Sequence, residues 1–109
     1  MTAGPQQYEV WQVKALAVAE CEDARPCIVI EVLSSGDVQV APLSAQFDLY
    51  RGPSVHFRID ESHKCFTATG LKKSCYVLGD CLGTVSQDQL LKKRGVLQGA
   101  LLDGFVKWL

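Results

Sequence analysis

One stretch constrains the fold more than any other: residues 25–32, which read Arg-Pro-Cys-Ile-Val-Ile-Glu-Val. Nearly continuous β-branched and apolar residues predict a strand that is buried on both faces. Proline is tolerated at the first position of such a strand but not at its centre, so Pro26 marks the predicted start. Because the following proline holds Arg25 extended, we expect the Arg25 guanidinium to project from the mouth of the fold.

Five further strands are predicted from alternating or β-branched residues. They cover residues 8–18, 38–42, 55–60, 65–69 and 74–78. The turn residues Ser34-Ser35-Gly36-Asp37 are expected to join the strand that starts at Pro26 to residues 38–42 as an antiparallel hairpin. Residues 43–54 carry no clear period, so we expect a surface loop there, where binding groups tend to collect.

Two helices are predicted towards the C-terminus. Ser86 is a typical N-cap and Gln89 completes a capping box, while the basic residues 92–94 suit the far end of the helix dipole and Gly95 ends the helix. The second helix covers about residues 98–109, and its apolar stripe consists of Leu97, Leu101, Leu102, Phe105, Trp108 and Leu109. Short strands followed by a docked helix predict a mainly β fold, a small curled barrel.

Composition limits the class of protein. The chain has 109 residues, 48% of them hydrophobic, which predicts one domain over residues 1–109 with a flexible tail at 1–7. No apolar run is long enough to span a bilayer and no signal peptide is evident, so we expect a cytosolic protein without membrane contact. Five cysteines without a CxxC pair argue against both a disulfide framework and a zinc site. A net charge of −1 excludes nucleic-acid binding by bulk charge alone, so such binding needs local basic clusters.

Several blocks, taken in order, resemble the PemK/MazF toxins of bacterial toxin–antitoxin pairs. The blocks are Arg-Pro-Cys-Ile-Val-Ile at 25–30, Val-Ala-Pro-Leu-Ser at 40–44, Thr-Gly-Leu-Lys-Lys-Ser at 69–74, Thr-Val at 84–85 and Gln-Leu-Leu-Lys-Lys-Arg-Gly-Val-Leu at 89–97. The resemblance implies an SH3-like barrel of about five to seven antiparallel strands with a short helix and a C-terminal helix. It also implies a homodimer that cleaves single-stranded RNA without metal or cofactor, in a sequence-selective way, and is silenced by a cognate antitoxin.

The resemblance also implies a set of site residues. Arg25 is similar to the family's catalytic arginine, Ser44 to its Thr/Ser after the Val-x-Pro strand, and Asp80 to the acidic residue of the PemK branch. Metal-free cleavage by the RNA's own 2′-hydroxyl needs a base, an acid and a cation for the charge that builds on phosphate. Arg25 suits the cation, Ser44 a hydrogen bond to a phosphoryl oxygen, and Asp80 the base or acid, with Glu20 or Asp23 as alternatives.

RNA binding is predicted for residues outside this set. Lys72 and Lys73, with Gln46 and Thr84, are expected to contact RNA, and the basic residues 92–94 would join them if both clusters flank one groove. Tyr50 or Phe57 are possible surfaces on which bases stack.

Four departures from the family pattern keep a second function open. Tyr8 replaces the glycine that usually opens the first strand, the following loop is short and acidic, Cys81-Leu82-Gly83-Thr84 replaces Gln-x-Arg-Thr, and Leu78 replaces a second PemK arginine. The alternative is therefore a non-catalytic PemK-like barrel that binds RNA or protein; a topoisomerase poison on this barrel is disfavoured.

Each candidate residue also has an ordinary structural interpretation. Arg25 could be a solvated charge or pair with Glu22 or Asp23, and Ser44 and Asp80 could serve turns. His56 and His63 are expected to be solvated, and a metal site at His63 and Cys65 is disfavoured because no further ligands fall nearby.

Overall fold

The described residues form a seven-stranded antiparallel sheet and one α-helix. The structure, a computed structural model, describes residues 4–14, 25–45, 56–79 and 82–109. The elements are, in chain order, β1 (Glu9–Val13), β2 (Arg25–Val32), β3 (Val38–Ser44), β4 (His56–Ile59), β5 (Cys75–Leu78), β6 (Gly83–Val85), β7 (Leu90–Val96) and α1 (Gly99–Trp108), with 3-10 turns at Thr67–Thr69 and Gln87–Gln89.

The strand order is β4-β5-β3-β2-β1-β7, and β6 pairs with β3 beyond the end of β5. β3 is long enough to pair with two strands on one edge: its last residues pair with β5 and its first residues with β6. This arrangement confirms the predicted fold class, a mainly β barrel-like fold with a C-terminal helix. No helix within the described ranges is long and apolar enough to cross a membrane.

β2 is buried on both faces, as its sequence predicts. Ile28 belongs to the cluster that packs against α1, whereas Cys27 and Val29 belong to a second cluster on the opposite face. The strand begins at Arg25, one residue before the predicted start, and pairs with β1 on one side and β3 on the other. The predicted hairpin through residues 34–37 is confirmed by the β2–β3 pairing and by the hydrogen bond from Leu33 N to Asp37 O, 2.8 Å.

The larger cluster lies between the sheet and α1. Phe105 is fully buried at its centre and makes edge contacts with Tyr8 and Phe57, whose ring centroids lie 6.0 and 5.5 Å away. The predicted C-terminal helix is therefore confirmed as an element that covers the sheet. Its predicted stripe is only partly buried: Leu97, Leu101 and Phe105 are buried, whereas Leu109 is 51% exposed.

The predicted helix at residues 86–95 is wrong. The capping box forms, with Ser86 N donating to Gln89 Oε1 at 2.9 Å, but it closes only the 3-10 turn Gln87–Gln89. From Leu90 onwards the chain is extended and forms β7, which pairs with β1 along its length. Pairing with a strand some 80 residues earlier outweighs the local helix signals, because most helix stability comes from packing rather than propensity.

The predicted strand at residues 65–69 is also wrong. The chain instead makes successive i to i+3 hydrogen bonds, and the hydroxyl of Thr69 donates to Phe66 O at 2.6 Å while accepting from Leu71 N at 3.2 Å. A threonine hydroxyl that bonds to nearby backbone competes with strand pairing. Gly70 then takes a φ of +73°, which ends the turn.

This turn lies directly against the backbone of β7. A Cβ at Gly95 would lie 2.1 Å from Ala68 O, and a Cβ at Gly70 would lie 2.0 Å from Arg94 O. Gly95 is thus not the end of a helix but the position at which two backbones meet with no room for a side chain.

Tyr8 has a left-handed backbone with φ of +70°, a conformation that favours glycine. Its N–H donates to Val29 O at 2.7 Å and its carbonyl accepts from Leu97 N at 2.9 Å, so the residue links β2 to the end of β7. The resemblance expects a glycine at this position, and the chain keeps the glycine-like conformation while adding a ring that packs on Phe105.

Candidate functional site

Arg25 and Ser44 lie at the same end of the β2–β3 strand pair. The two strands pair with Cys27 opposite Pro42, Ile28 opposite Ala41 and Val29 opposite Val40. Both strands continue for two residues beyond Cys27 and Pro42, so Arg25, the first residue of β2, and Ser44, the last residue of β3, lie at the same end of this strand pair. Two residues 19 positions apart in the sequence are thus brought to the same end of one strand pair.

The row continues from Ser44 towards the edge of the sheet. Ser44 is opposite Tyr76 on β5, and Tyr76 is opposite Arg58 on β4. Residues directly opposite each other in an antiparallel pair share one face, so these three side chains lie on one face. The residues beside them, Leu43 and Val77, face the core that α1 covers.

In the other direction Arg25 is opposite Val13, which is opposite Leu90 on β7. We call the six aligned positions the cross-strand row. It consists of Leu90, Val13, Arg25, Ser44, Tyr76 and Arg58.

Ser44 lies in a strand and is buried, 5% exposed, which corrects the predicted surface loop over residues 43–54 at its first two positions. Tyr76 is equally buried. The rest of that predicted loop, with Gln46 and Tyr50, lies outside the described residues, as do Glu20, Asp23 and Asp80.

Arg58 forms the exposed end of the cross-strand row. Its Nη2 lies 3.3 Å from Asp60 Oδ2, and its guanidinium carbon lies 5.9 Å from the centre of the Tyr76 ring. Both charged side chains are about half exposed. Asp60 in turn accepts hydrogen bonds from Ser62 N and Oγ at 2.9 and 2.8 Å, which together with the Arg58 charge lower the pKa of the Asp60 carboxyl.

No motif in the sequence points to a functional role for Arg58 or Tyr76. Arg58 is one polar residue of a short alternating strand, and nothing local distinguishes it from a solvated charge. The one available signal is compositional: β3, β4 and β5 together contain a single Lys or Arg.

Of the residues predicted to bind RNA, the described ones, Lys72, Lys73 and Thr84, do not lie in one cluster. Lys72 and Lys73 are exposed in the bend before β5, three or four residues before Tyr76. Thr84 is exposed on β6 opposite Gln39, which lies five residues before Ser44 on β3, or about 17 Å at the rise of an extended strand. Along the β3 edge, Lys72 and Lys73 therefore lie on one side of the cross-strand row and Thr84 lies on the other.

Two of the basic residues 92–94 make contacts that join different parts of the fold. Arg94 Nη1 donates to Gln12 Oε1 at 2.9 Å and Nη2 to Gly70 O at 3.1 Å, so this side chain joins β1, β7 and the 3-10 turn. Lys93 Nζ lies 2.7 Å from Glu9 Oε2. Lys92 is exposed.

Glu9 is the charged side chain of β1 that the sheet buries. Burial alone would raise the pKa of its carboxyl, but hydrogen bonds from Lys93, Trp11 Nε1 and Gln6 N, with the Lys93 charge, lower that pKa below its usual value. A buried carboxylate with three donors is a stable anion.

Neither histidine behaves as the sequence predicts. His56, expected to be solvated, is 2% exposed on β4 opposite Leu78. His63 is half-buried and its Nδ1 accepts from Cys65 N at 3.0 Å. Within the part of the chain that the structure describes, no three His, Cys, Asp or Glu side chains converge as metal ligands.

Aromatic stacking on Phe57 is not supported, because that ring packs against Phe105 and Trp108. Cys65 and Cys75 are free thiols, and burial raises the pKa of Cys75. Cys21 and Cys81 lie outside the described ranges.

Comparison with known proteins supports the fold. No protein-family model matches the sequence, and no curated protein matches it. Among solved structures 35 chains match. One is the Mycobacterium tuberculosis toxin MazF-mt6, which superposes with a TM-score of 0.65 at 19% sequence identity, covering 92% of this chain and 90% of that one. At this identity the likeness establishes a MazF-like fold.

Proposed function

We propose that this chain, whose fold is that of a MazF toxin, is the toxin of a toxin–antitoxin pair and a metal-independent endoribonuclease that cleaves single-stranded mRNA in the cytoplasm. The observation that carries the proposal is that β2 begins at Arg25 and β3 ends at Ser44, at the same end of one antiparallel strand pair. The two residues that the resemblance assigns to catalysis come from different sequence blocks, and the β2–β3 pairing supports a shared site at this end of the sheet.

In this proposal the RNA's own 2′-oxygen attacks the adjacent phosphorus and the bond from phosphorus to the 5′-oxygen breaks. A base takes the proton of the 2′-hydroxyl and an acid protonates the departing 5′-oxygen, leaving a cyclic phosphate and a free 5′-hydroxyl. Arg25 neutralises the negative charge that accumulates on the phosphoryl oxygens, because its planar fork donates two parallel hydrogen bonds.

Ser44 lies at the floor of the proposed site, and its hydroxyl donates to a phosphoryl oxygen. Asp80 serves as base or acid at the connection from β5 to β6. Lys72, Lys73, Gln46 and Thr84 contact flanking parts of the RNA, and the separation of the described members along the β3 edge favours an extended strand.

Two protein partners belong to the proposal. A cognate antitoxin keeps the toxin silent, and a second copy of this chain forms a homodimer. The exposed apolar residues Val106 and Leu109 on the outer side of α1 support a contact with another protein surface. Sedimentation of the wild type and of Val106→Glu tests the dimer: the variant is expected to sediment as a monomer.

Incubation of a long RNA with purified protein in EDTA tests the nuclease. Wild-type protein is expected to produce discrete fragments with cyclic phosphate ends, and Arg25→Ala to leave the RNA intact. The matched control is Lys107→Ala, which removes one exposed charge from the last turn of α1 and should cleave normally. Intact RNA with wild-type protein, at concentrations that bind it, would exclude the nuclease.

A non-catalytic barrel that binds RNA remains the second candidate function. The observation in its favour is Leu78, a buried apolar residue where the PemK branch carries an arginine. The same assay separates the two functions: a binding module retains RNA on a gel without shortening it, and Arg25→Ala then changes affinity only.

A further inference from the structure

We infer that Arg58 is a second cation of this site and binds a phosphate that flanks the scissile one. The inference rests on the proposed RNA-binding function and deepens it. Arg58 lies in the cross-strand row with Ser44 and Tyr76, three strand spacings from Arg25, or about 14 Å. A strand of RNA lying across the row would therefore reach both arginines through different phosphates.

The charge distribution singles out Arg58. β3, β4 and β5 form this side of the sheet, and Arg58 is their one Lys or Arg. The neighbouring residue pair on the same face, His56 opposite Leu78, is buried. A phosphate that reaches this face from solvent therefore meets the Arg58 guanidinium.

Two contacts hold the guanidinium in place. The ring of Tyr76 lies beneath it, and because Tyr76 is buried within β5 this platform is rigid. Asp60 contacts Nη2, and Ser62 in turn holds the Asp60 carboxylate. Pre-positioning of this kind lowers the entropy lost when a ligand binds.

The contacts of Arg58 fit a purely structural role less well than a role in phosphate binding. An ion pair between two half-exposed side chains contributes about 0–1 kcal/mol. Arg94 shows what a structural arginine in this protein does: it is half-buried and donates to Gln12 and to the backbone of Gly70. Arg58 is instead about half exposed and contacts only Asp60 and the Tyr76 ring among the described residues, so part of its planar array of N–H donors is open to a phosphate.

The test uses a fluorescent single-stranded oligonucleotide in which every 2′-hydroxyl is methylated, since such a strand keeps its phosphates but cannot undergo 2′-oxygen attack. Binding is measured by fluorescence anisotropy over a series of salt concentrations. Arg58→Ala is expected to weaken binding about 5- to 10-fold at low salt and to reduce the slope of log affinity against log salt by about 0.7. Arg58→Lys should keep the slope and recover part of the affinity, and Lys107→Ala should bind as wild type.

Substitutions of two acidic residues near Arg58 test the same inference. Asp60→Asn removes the negative charge that competes with phosphate for Arg58 and keeps a side-chain oxygen that can accept from Nη2, so binding is expected to tighten at least about 2-fold. Glu61→Gln removes an equal charge from the next, exposed residue and should have the smaller effect.

The outcomes separate this inference from the proposed nuclease. Unchanged affinity and salt slope in Arg58→Ala, with its fold confirmed by circular dichroism, would overturn the role of Arg58 even if wild-type protein cleaves RNA. A wild-type protein that binds the methylated strand through Arg58 but leaves ordinary RNA intact would support Arg58 and exclude the nuclease. A wild-type protein that binds neither the methylated strand nor ordinary RNA would overturn both.

Discussion

Glu9 and Lys93 form an ion pair across β1 and β7, with 2.7 Å between Lys93 Nζ and Glu9 Oε2. The two ends of this pair differ: the lysine is half exposed, whereas the carboxylate is buried and also accepts hydrogen bonds from Gln6 N and Trp11 Nε1. The pair thus joins the N-terminal segment to a strand near the C-terminus, in a region where β7 lies at the edge of the sheet.

The first prediction concerns the pH dependence of this pair. The pKa of Glu9 is lower in the folded protein than in the unfolded chain, where it is about 4.3, so the pair stabilises the fold above that pH. Its contribution is lost as pH falls through the lower, folded pKa. Glu9→Gln is expected to lower the free energy of unfolding by about 1–2 kcal/mol at pH 7.

Urea denaturation of wild type and Glu9→Gln at several pH values measures this effect. The difference in unfolding free energy should shrink once the pH falls below about 4, since Gln does not titrate and protonated Glu resembles it. Glu31→Gln, at an exposed position on β2, is the control. A difference that stays constant down to pH 3 would contradict the assignment.

A second prediction follows from the meeting of β7 with the 3-10 turn. Gly95→Ala is expected to destabilise the protein by at least about 2 kcal/mol, because the new Cβ would lie 2.1 Å from Ala68 O and a backbone atom cannot move aside cheaply. Gly104→Ala is the matched control. Its Cβ would lie 3.7 Å from Phe57 Cζ, an ordinary contact, and alanine should stabilise α1 by about 1 kcal/mol.

Thermal unfolding of both variants tests these expectations, because Gly95→Ala should lower the melting temperature and Gly104→Ala should raise it. Equal melting temperatures would show that residues 68–70 move away from β7 without cost.

The third prediction concerns Phe105, the largest of the fully buried side chains. Phe105→Ala is expected to cost about 3–5 kcal/mol, since it removes a ring that contacts Tyr8, Phe57 and Trp108 and leaves a cavity between α1 and the sheet. Denaturant titration measures the loss, with Lys107→Ala on the exposed side of α1 as the control, expected within about 0.5 kcal/mol of wild type. A loss below about 1 kcal/mol would mean that α1 does not cover the core in solution.

The fourth prediction concerns thiol reactivity. Burial raises the pKa of Cys75, partly offset by the charge of Lys73, and its Sγ donates to Lys73 O at 3.3 Å. Because the thiolate is the reactive form, Cys75 should be alkylated at least about 10-fold more slowly than half-buried Cys65 in the native protein. Peptide mass spectrometry after timed iodoacetamide treatment measures both rates, and urea should make them equal. Similar rates without urea would contradict the burial of Cys75.

The sequence could predict elements whose local pattern has one structural solution. The continuous apolar run of residues 26–30 fits a strand covered on both faces, and the turn at residues 34–37 fits a hairpin. The stripe with Leu101 and Phe105 fits a helix docked on the sheet. The family resemblance, carried by short blocks, led to the same fold.

Residues 86–96 show where such reasoning fails. Their capping box is real but closes a single turn, and Gly95, a plausible helix end in the sequence, is the point where β7 contacts the backbone of the 3-10 turn. The prediction for His56 fails for a similar reason. Its alternation with Phe57 predicts a place on the polar face of the strand, whereas the side chain is buried in the structure. Local pattern carries no information about which distant segment covers a residue.

By itself, the sequence determined the mainly β class, the two-faced burial of β2 and the residues proposed for catalysis, because side-chain type and spacing act over a few residues. Only the tertiary structure decided that Arg25 and Ser44 lie at the same end of one strand pair, that Tyr76 supports Arg58, and that Lys93 and Arg94 stabilise the sheet. Those relationships join positions up to about 80 residues apart, and the hydrogen-bond register between strands sets them.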